Sequence, residues 1–444
     1  MAKLTLKQAA LWCGGYVDPK YENVEFLGAN NDTRIIQPGQ LFIVLQGARD
    51  GHDFIPMAME KGAAAALCSR SVGDYPCIIV DDPRIALGQI AHAECRRLGC
   101  KVVGITGSVG KSTTKEMVVS VLETAYRVSK TPANHNNDIG MPMAILAMPE
   151  DTEVAVLEMG MNHFREMAYL SQIAEPDVSV IVNIGTMHIE FLGSREGIRQ
   201  AKLEILEGMK KDGKLLLNGS DDMLNPLPVD VAQEVTYFGT ADNCAVKAVE
   251  ICQEPGLLRY TVQTGAAAFP VEMALEGMHF VADSLAAVAV GLELGIAPEK
   301  IQRGLGGFRN MAGRQESYEK NGFTIIKDCY NAGPESMAAS LAVLGAKPGR
   351  RIAVLGDMLE LGDCAPAEHR KVGAIAAKNA DVILAYGPNA CFVAEGAGAA
   401  NVRSFDSRET MAAALKEIAL PGDVILFKGS RGMRLELVLD AFVQ

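Results

Sequence analysis

The chain has 444 residues, 49% hydrophobic and 22% charged, with a net charge of −12. That length exceeds one ordinary core, so two or three domains are expected, and the acidic balance argues against nucleic acid or an anionic membrane as the main partner. No basic, apolar leader opens the chain, no run is long enough to cross a bilayer, and the ten cysteines fall in no C-x-x-C or zinc-like spacing, so a cytoplasmic enzyme with reduced thiols and no membrane insertion is expected.

Residues 1–82 alternate short apolar runs with turns. Strands are predicted over 40–45 and 77–80, and a helix over 55–64 with its apolar face on a period near 3.6. From 83 to 312 the pattern becomes strand–helix–strand. Strands are predicted at 101–106, 153–157, 178–184 and 214–217, as buried parallel runs, with helices at 111–126, 194–209 and 278–294 and a strand-rich stretch at 246–271. A second α/β alternation fills 313–444, with strands at 323–327, 351–356, 381–385 and 424–427. The fold class is α/β, in three domains, with neither an internal repeat nor a low-complexity linker.

The stretch VVGITGSVGKSTTKEM, Val102 to Met117, ends a β-branched strand in glycines and opens a helix on Lys-Ser. Successive backbone N–H groups and a helix N-terminus make such a turn a phosphate site. Lys111 then reaches the terminal phosphates and the Ser112 hydroxyl ligates Mg²⁺. The usual Gly-x-x-x-x-Gly-Lys-Ser/Thr spacing fails, because Ile105 stands where the first glycine is required. What remains is the shorter signature Gly107-Ser108-Val109-Gly110-Lys111-Ser112, followed by Thr113.

Glu158 follows an apolar strand, and His188 follows the next strand and the turn Gly185-Thr186-Met187. Both face the strand ends from which the phosphate loop springs, where oxygen and imidazole ligands suit Mg²⁺ or Mn²⁺. Lys202 lies on a later helix beside Glu204 and Glu207, a pattern that a surface lysine in helical ion pairs also explains. Turn formation alone accounts for Asn134, Asn136 and Asn137 near Gly140 and Pro142.

The short phosphate loop resembles that of the Mur ligase superfamily, the enzymes that build the peptide stem of bacterial cell-wall precursors. The resemblance continues through ANNDTRIIQPGQLF and GARDGHDF, then TPANHNNDIGMP, LEMGMNHFREM, NIGTMHIEFLGS and AKLEILEGM, and finally GRQE, DCYNAGPESM, LGDMLELG and KGSRGMRLE. Within the family these stretches are most similar to the member that joins D-alanyl-D-alanine to UDP-N-acetylmuramoyl-tripeptide. The resemblance implies a small α/β UDP-substrate domain (1–82), a central P-loop ATPase-like parallel sheet (83–312) and a Rossmann-like C-terminal amine-substrate domain (313–444). It implies ATP, one or two Mg²⁺ ions held by Ser112, Glu158, His188 and a carbamylated Lys202, and a monomer acting on small-molecule substrates. It sends Arg314 to the ATP phosphates and Asp328 to the ribose, gives Asn137 and Asn331 nucleotide contacts, and gives Asn134 and Asn136 substrate contacts. Thr33 and Arg34 become candidates for the nucleotide sugar, and Asp357, Lys428, Ser430 and Arg431 for the dipeptide.

The sequence departs from the family pattern at three points. Gly-x-His-Asn-x-x-Asn reads Gly277-Met278-His279-Phe280-Val281-Ala282-Asp283, Asn-Ala-Asn-Pro reads Asn331-Ala332-Gly333-Pro334, and Arg165 stands where glycine is common. The expected reaction is an ADP-forming amide ligation through an acyl phosphate. Two alternatives stay open: another Mur-type or folylpolyglutamate-type amino-acid ligase, and a P-loop ATPase switch, which has no use for an acceptor domain.

Overall fold

The computed structural model describes residues 3–398 and 401–444. Three principal sheets follow one another along the chain. The first has five strands in the order Tyr16–Val17, Cys77–Ile79, Ala65–Cys68, Leu41–Ile43 and Ala29–Asn30, parallel except where Tyr16–Val17 joins the edge. Its predicted helix is shorter than the apolar period suggests, running Ile55–Glu60, because Gly62 turns the chain at φ +92°.

The middle sheet has nine strands. Lys101–Thr106 is third from one edge, flanked by Val154–Glu158, beyond which Val128–Lys130 forms the edge, and by Val178–Ile181 on the other side, all parallel. The parallel order continues outward through Lys214–Asn218, Glu234–Gly239 and Val246–Glu254. The strand-rich stretch expected at 246–271 lies at the opposite edge, where Val246–Glu254, Leu257–Gln263 and Ala268–Met273 form an antiparallel meander. Its last strand alternates exposed and buried residues, as one-sided packing requires.

The third sheet is parallel through Phe323–Asp328, Val424–Lys428, Arg351–Gly356, Val382–Tyr386 and Val402–Phe405, with Glu316–Lys320 added antiparallel at one edge. Buried aliphatic side chains cover both of its faces, which is why its strands read as continuous apolar runs.

Several helices were not anticipated, among them Leu6–Cys13, Glu166–Ala174, Pro298–Gly307 and the longest, Pro83–Leu98. Pro83–Leu98 carries Arg, Gln, His and Glu among its apolar positions, which blurs the period, yet its ends are well marked. Asp82 caps it, Pro83 opens it, and Gly99 closes it at φ +65°. Its Leu87, Ile90 and Ala91 join one buried cluster with Leu41 and Leu67 of the first sheet and Ala155 and Leu157 of the middle sheet. The opposite face of the middle sheet is covered by Lys111–Leu122 and His279–Glu293.

Candidate active site

Register sets the site. Glu158 lies level with Ile105 and Ile181 with Thr106, so three adjacent parallel strands end together where the phosphate loop begins. This is the C-terminal strand edge at which open α/β sheets bind ligands. A cleft of about 1420 Å³ opens there between the middle and third sheets.

The loop itself turns at Gly110 (φ +81°), and no side chain caps the Lys111–Leu122 helix, whose first-turn N–H groups are left for an external acceptor. Asn183, which the sequence reading did not single out, braces the loop: its Oδ1 accepts from Ser108 N and Val109 N at 3.0 Å each, and its Nδ2 donates to Val109 O. Ser108 Oγ accepts from Gly185 N at 2.9 Å. Gly107 is needed for close approach, since a Cβ there would lie 3.0 Å from Val182 Cβ. Lys111 folds over its own loop, donating to Gly107 O (2.7 Å) and Ser108 O (3.2 Å). Burial lowers its pKa, with Glu158 opposing and Arg314 adding to the shift.

Glu158 is 2% exposed. Its Oε1 accepts from Asn136 Nδ2 at 2.8 Å, whereas Oε2 is buried without a hydrogen-bond partner and lies 3.8 Å from Lys115 Nζ. Lys115 is a second residue that the motif reading passed over. It is fully buried on the helix that follows the phosphate loop, donates to Thr131 O at 2.8 Å, and lies 3.2 Å from Glu116. The KSTTKE run contains it in plain view, but nothing in the spacing says that it turns inward.

His188 stands at the cleft wall in the left-handed region (φ +65°). Its Nδ1 approaches Glu360 Oε2 to 2.6 Å without the alignment of a hydrogen bond. Among the described residues, no three His, Cys, Asp or Glu side chains form a ready-made metal cluster. The donor set nevertheless suits Mg²⁺, which keeps water and substrate oxygens and takes only one or two protein carboxylates. The unpartnered Glu158 Oε2 and the Ser112 hydroxyl are the available oxygens.

Lys202 does not line the cleft. It is 1% exposed and has neither hydrogen-bond nor ion-pair partner among the described residues, so the surface ion-pair reading is corrected. Glu204 instead accepts from Arg165 N and Glu207 pairs with the Arg165 guanidinium. Burial, with Lys111 nearby, holds the Lys202 amine well below the usual lysine range. A neutral amine is the form that takes up carbon dioxide, and the resulting anion would face the Lys111 cation.

The third sheet brings its own set. Arg314 Nη2 donates to Ser112 Oγ at 2.9 Å while its guanidinium lies 4.0 Å over the Tyr330 ring. Asp328 and Lys428 are register partners at the strand ends and pair at 2.6 Å. Burial raises the Asp328 pKa, but the charge and hydrogen bond of Lys428, with the Ser340 hydroxyl, pull it below the ordinary value. Asn331 and Arg431 also line the cleft, as do Asn134, Asn136 and Asn137, the last capping the following turn through Gly140 N.

Besides Lys202 and Gly107, four predicted residues lie outside the cleft. Asp357 is buried and accepts from Asn389 N and Nδ2, and Ser430 ties two loops through Leu359 N and Ala332 O. Thr33 and Arg34 follow a strand of the first sheet, where Arg34 forms a two-point pair with Asp32 and Thr33 O accepts from Lys61.

The three departures from the family pattern have physical settings. Arg165 adopts φ +74°, the conformation that favours glycine. At Gly333 a Cβ would lie 2.4 Å from Met187 Sδ. Asp283 is buried against the phosphate loop, accepting from Thr114 Oγ1 at 3.0 Å, and a Cβ on Gly110 would lie 2.6 Å from its Oδ1. Burial pushes its pKa up to about 7 against the pull of Thr114 and Arg314.

Known proteins share this fold. The Mur ligase middle domain matches residues 105–291, and the Mur ligase, glutamate ligase domain, matches residues 313–431. The UDP-N-acetylmuramoyl-tripeptide–D-alanyl-D-alanine ligase of Bacillus subtilis is 42% identical, covering 100% of this chain and 99% of the relative. A crystal structure of MurF from Acinetobacter baumannii superposes with a TM-score of 0.93 at 31% identity, over 100% of this chain and 99% of that one. The MurF ligase of Thermotoga maritima, solved in complex with ADP, gives 0.84 at 30% identity over 94% and 97% of the two chains. The chain belongs to the Mur ligase family.

Proposed function

We propose that the chain is an ATP-dependent ligase that joins D-alanyl-D-alanine to UDP-N-acetylmuramoyl-tripeptide in peptidoglycan precursor synthesis, forming ADP and phosphate. The observation that carries this reading is the bond from Arg314 to Ser112, which brings a cation of the third segment onto the phosphate loop of the middle one. Such a contact fits an enzyme that seats an acceptor segment over ATP, so that one substrate is activated and the other attacks it. The names of full-length relatives such as that of Bacillus subtilis support the same reaction.

A carboxylate is a poor electrophile at neutral pH. In the proposed reaction its oxygen attacks the γ-phosphorus of ATP, and ADP leaves. The amine nitrogen of the dipeptide then attacks the acyl carbon, phosphate departs with the C–O electron pair, and the amine gives up a proton. The residues contribute chiefly position and charge. Lys111 and Arg314 face the phosphates, with the loop residues Gly107 to Thr113 holding them through backbone N–H groups. Asp328 takes the ribose hydroxyls, while Asn137 and Asn331 border the nucleotide. Glu158, His188 and Ser112 would hold Mg²⁺, which would neutralise phosphate charge. Lys202, as a carbamate, would contribute a second anion. Asn134 and Asn136 border the acyl substrate. Lys428 and Arg431 meet the dipeptide carboxylate, and Asp357 and Ser430 brace the loops that carry them.

We assign residues 1–82, with Thr33 and Arg34, to the UDP-sugar, 83–312 to ATP and 313–444 to the amine, in a cytoplasmic monomer. No helix among the described residues is long and apolar enough to cross a membrane. The test is ADP release with UDP-muramoyl tripeptide and a panel of amines. Release that requires D-alanyl-D-alanine supports the reading. Release with free D-alanine or L-lysine instead assigns another amino-acid ligase, and release without any amine assigns a switch.

A further inference from the structure

The loop Gly185–His188 belongs to the middle segment, yet the third segment grips it at four points. Glu335 Oε1 accepts from Thr186 N at 2.9 Å and from Thr186 Oγ1 at 3.1 Å. Its carboxylate lies so close that a Cβ on Gly185 would be 2.7 Å from Glu335 Cδ. Gly333 leaves room for Met187. Glu360 meets His188 at 2.6 Å, and Gly362 packs against Glu190, with a would-be Cβ 3.1 Å from Glu190 Cγ. Ile189 packs against the core of the third sheet.

This grip falls on backbone that does not hold itself. His188 and Glu360 both adopt left-handed conformations, φ +65° and +63°. Such non-glycine conformations persist only where the surroundings determine them. The four-residue helix Ile189–Leu192 that follows is too short to fix the loop by its own hydrogen bonds.

The geometry points to Glu335 and Glu360 as positioning residues: docking of the third segment sets the place and ring orientation of His188, so that the metal site is complete only when that segment is seated. The inference rests on the reading of His188 as a ligand. Glu335 acts on the backbone of the loop and Glu360 on the imidazole itself. Outer partners that orient a metal ligand typically change metal affinity by about 10- to 100-fold; Glu335 does so through hydrogen bonds to the loop and Glu360 as a carboxylate held against the ring.

Manganese binding to the full chain with ADP, read by electron paramagnetic resonance, tests this without turnover. Glu360→Ala and Glu335→Ala should each weaken Mn²⁺ binding about tenfold or more, and His188→Ala at least as much. Glu335→Gln, whose amide oxygen can still accept from Thr186, should recover most of the affinity. It also keeps the test open if Glu335→Ala does not fold. In the double variant Glu360→Ala/His188→Ala, the loss of Glu360 should add little, because its effect runs through His188. If His188→Ala weakens binding and neither glutamate variant does, the positioning role is wrong while the ligand reading stands. If His188→Ala itself leaves Mn²⁺ binding unchanged, the ligand reading fails and the inference fails with it. Full additivity in the double variant would reduce Glu360 to a distant charge and overturn its role.

Discussion

Replacing Lys202 by Met should make the protein more stable and nearly inactive. The residue is 1% exposed, and its amine finds no partner among the described residues. A buried polar group left unpaired costs about 1–3 kcal/mol, whereas the flexible, unbranched Met side chain fills a similar path without that penalty. For a unit of this size each kcal/mol corresponds to a rise of about 2–4 °C in Tm. The sign with pH follows from the depressed amine pKa. Between the folded value and the unfolded value of about 10.4 the unfolded chain binds the extra proton, so parent stability rises with pH through that window. The variant lacks this rise, and its advantage shrinks as pH increases. Melting curves in bicarbonate-free buffer from about pH 7 to about pH 10 read the difference. Bicarbonate should raise the parent's melting temperature, leave the variant's unchanged, and add labelled carbon dioxide to Lys202 alone. A variant that melts lower than the parent at every pH, or one that keeps near-parent ADP formation, would refute the reasoning.

Lys111→Ala should lower ADP formation by about a hundredfold or more, since it removes a cation at the transferring phosphate, with little change in melting because the amine binds only its own loop. Glu158→Ala should lose activity and regain part of it at raised Mg²⁺. Titration of activity against Mg²⁺ checks this, and an unchanged metal dependence would contradict a ligand role. Asp283→Asn keeps an acceptor for Thr114 but cannot ionise. The parent carboxyl, raised to about 7, makes the folded state bind more protons than the unfolded state between about pH 4 and about pH 7, so parent stability falls across that window. The variant should escape the fall, gaining at most about 4 kcal/mol above it, and denaturant midpoints at the two ends measure the difference.

Much of the fold is legible because its strands are buried on both faces. The runs at 101–106 and 351–356 read as strands over the ranges they occupy, Lys101–Thr106 and Arg351–Gly356. The helix at 278–294 appears as His279–Glu293, and the helix at 194–209 begins regularly at Arg195 but tightens to a 3₁₀ turn over Glu204–Glu207. Boundaries blur where glycine or a turn ends an apolar run early, as at Gly62. The helix Pro83–Leu98 was hidden by its polar content, although Asp82, Pro83 and Gly99 mark its limits.

At the site, Lys111, Ser112 and Arg314 could be read from motifs, and they meet in one cleft. Asn183 and Lys115 could not, because their importance lies in where their side chains turn rather than in spacing. Lys202 could be located but not weighed. Neighbouring glutamates suggested surface pairs, and only tertiary packing shows those glutamates committed to Arg165. Asp357 and Ser430 sit near strand ends, as binding residues do, yet serve the loops behind the cleft.

The most direct measurement of the central claim is the coupling of ADP release to amine. With UDP-muramoyl tripeptide and ATP present, the account predicts that ADP accumulates in step with amide product when D-alanyl-D-alanine is added, and that free D-alanine does not replace it. ADP release at the same rate without any amine, or amide formation only with another amino acid, would contradict it.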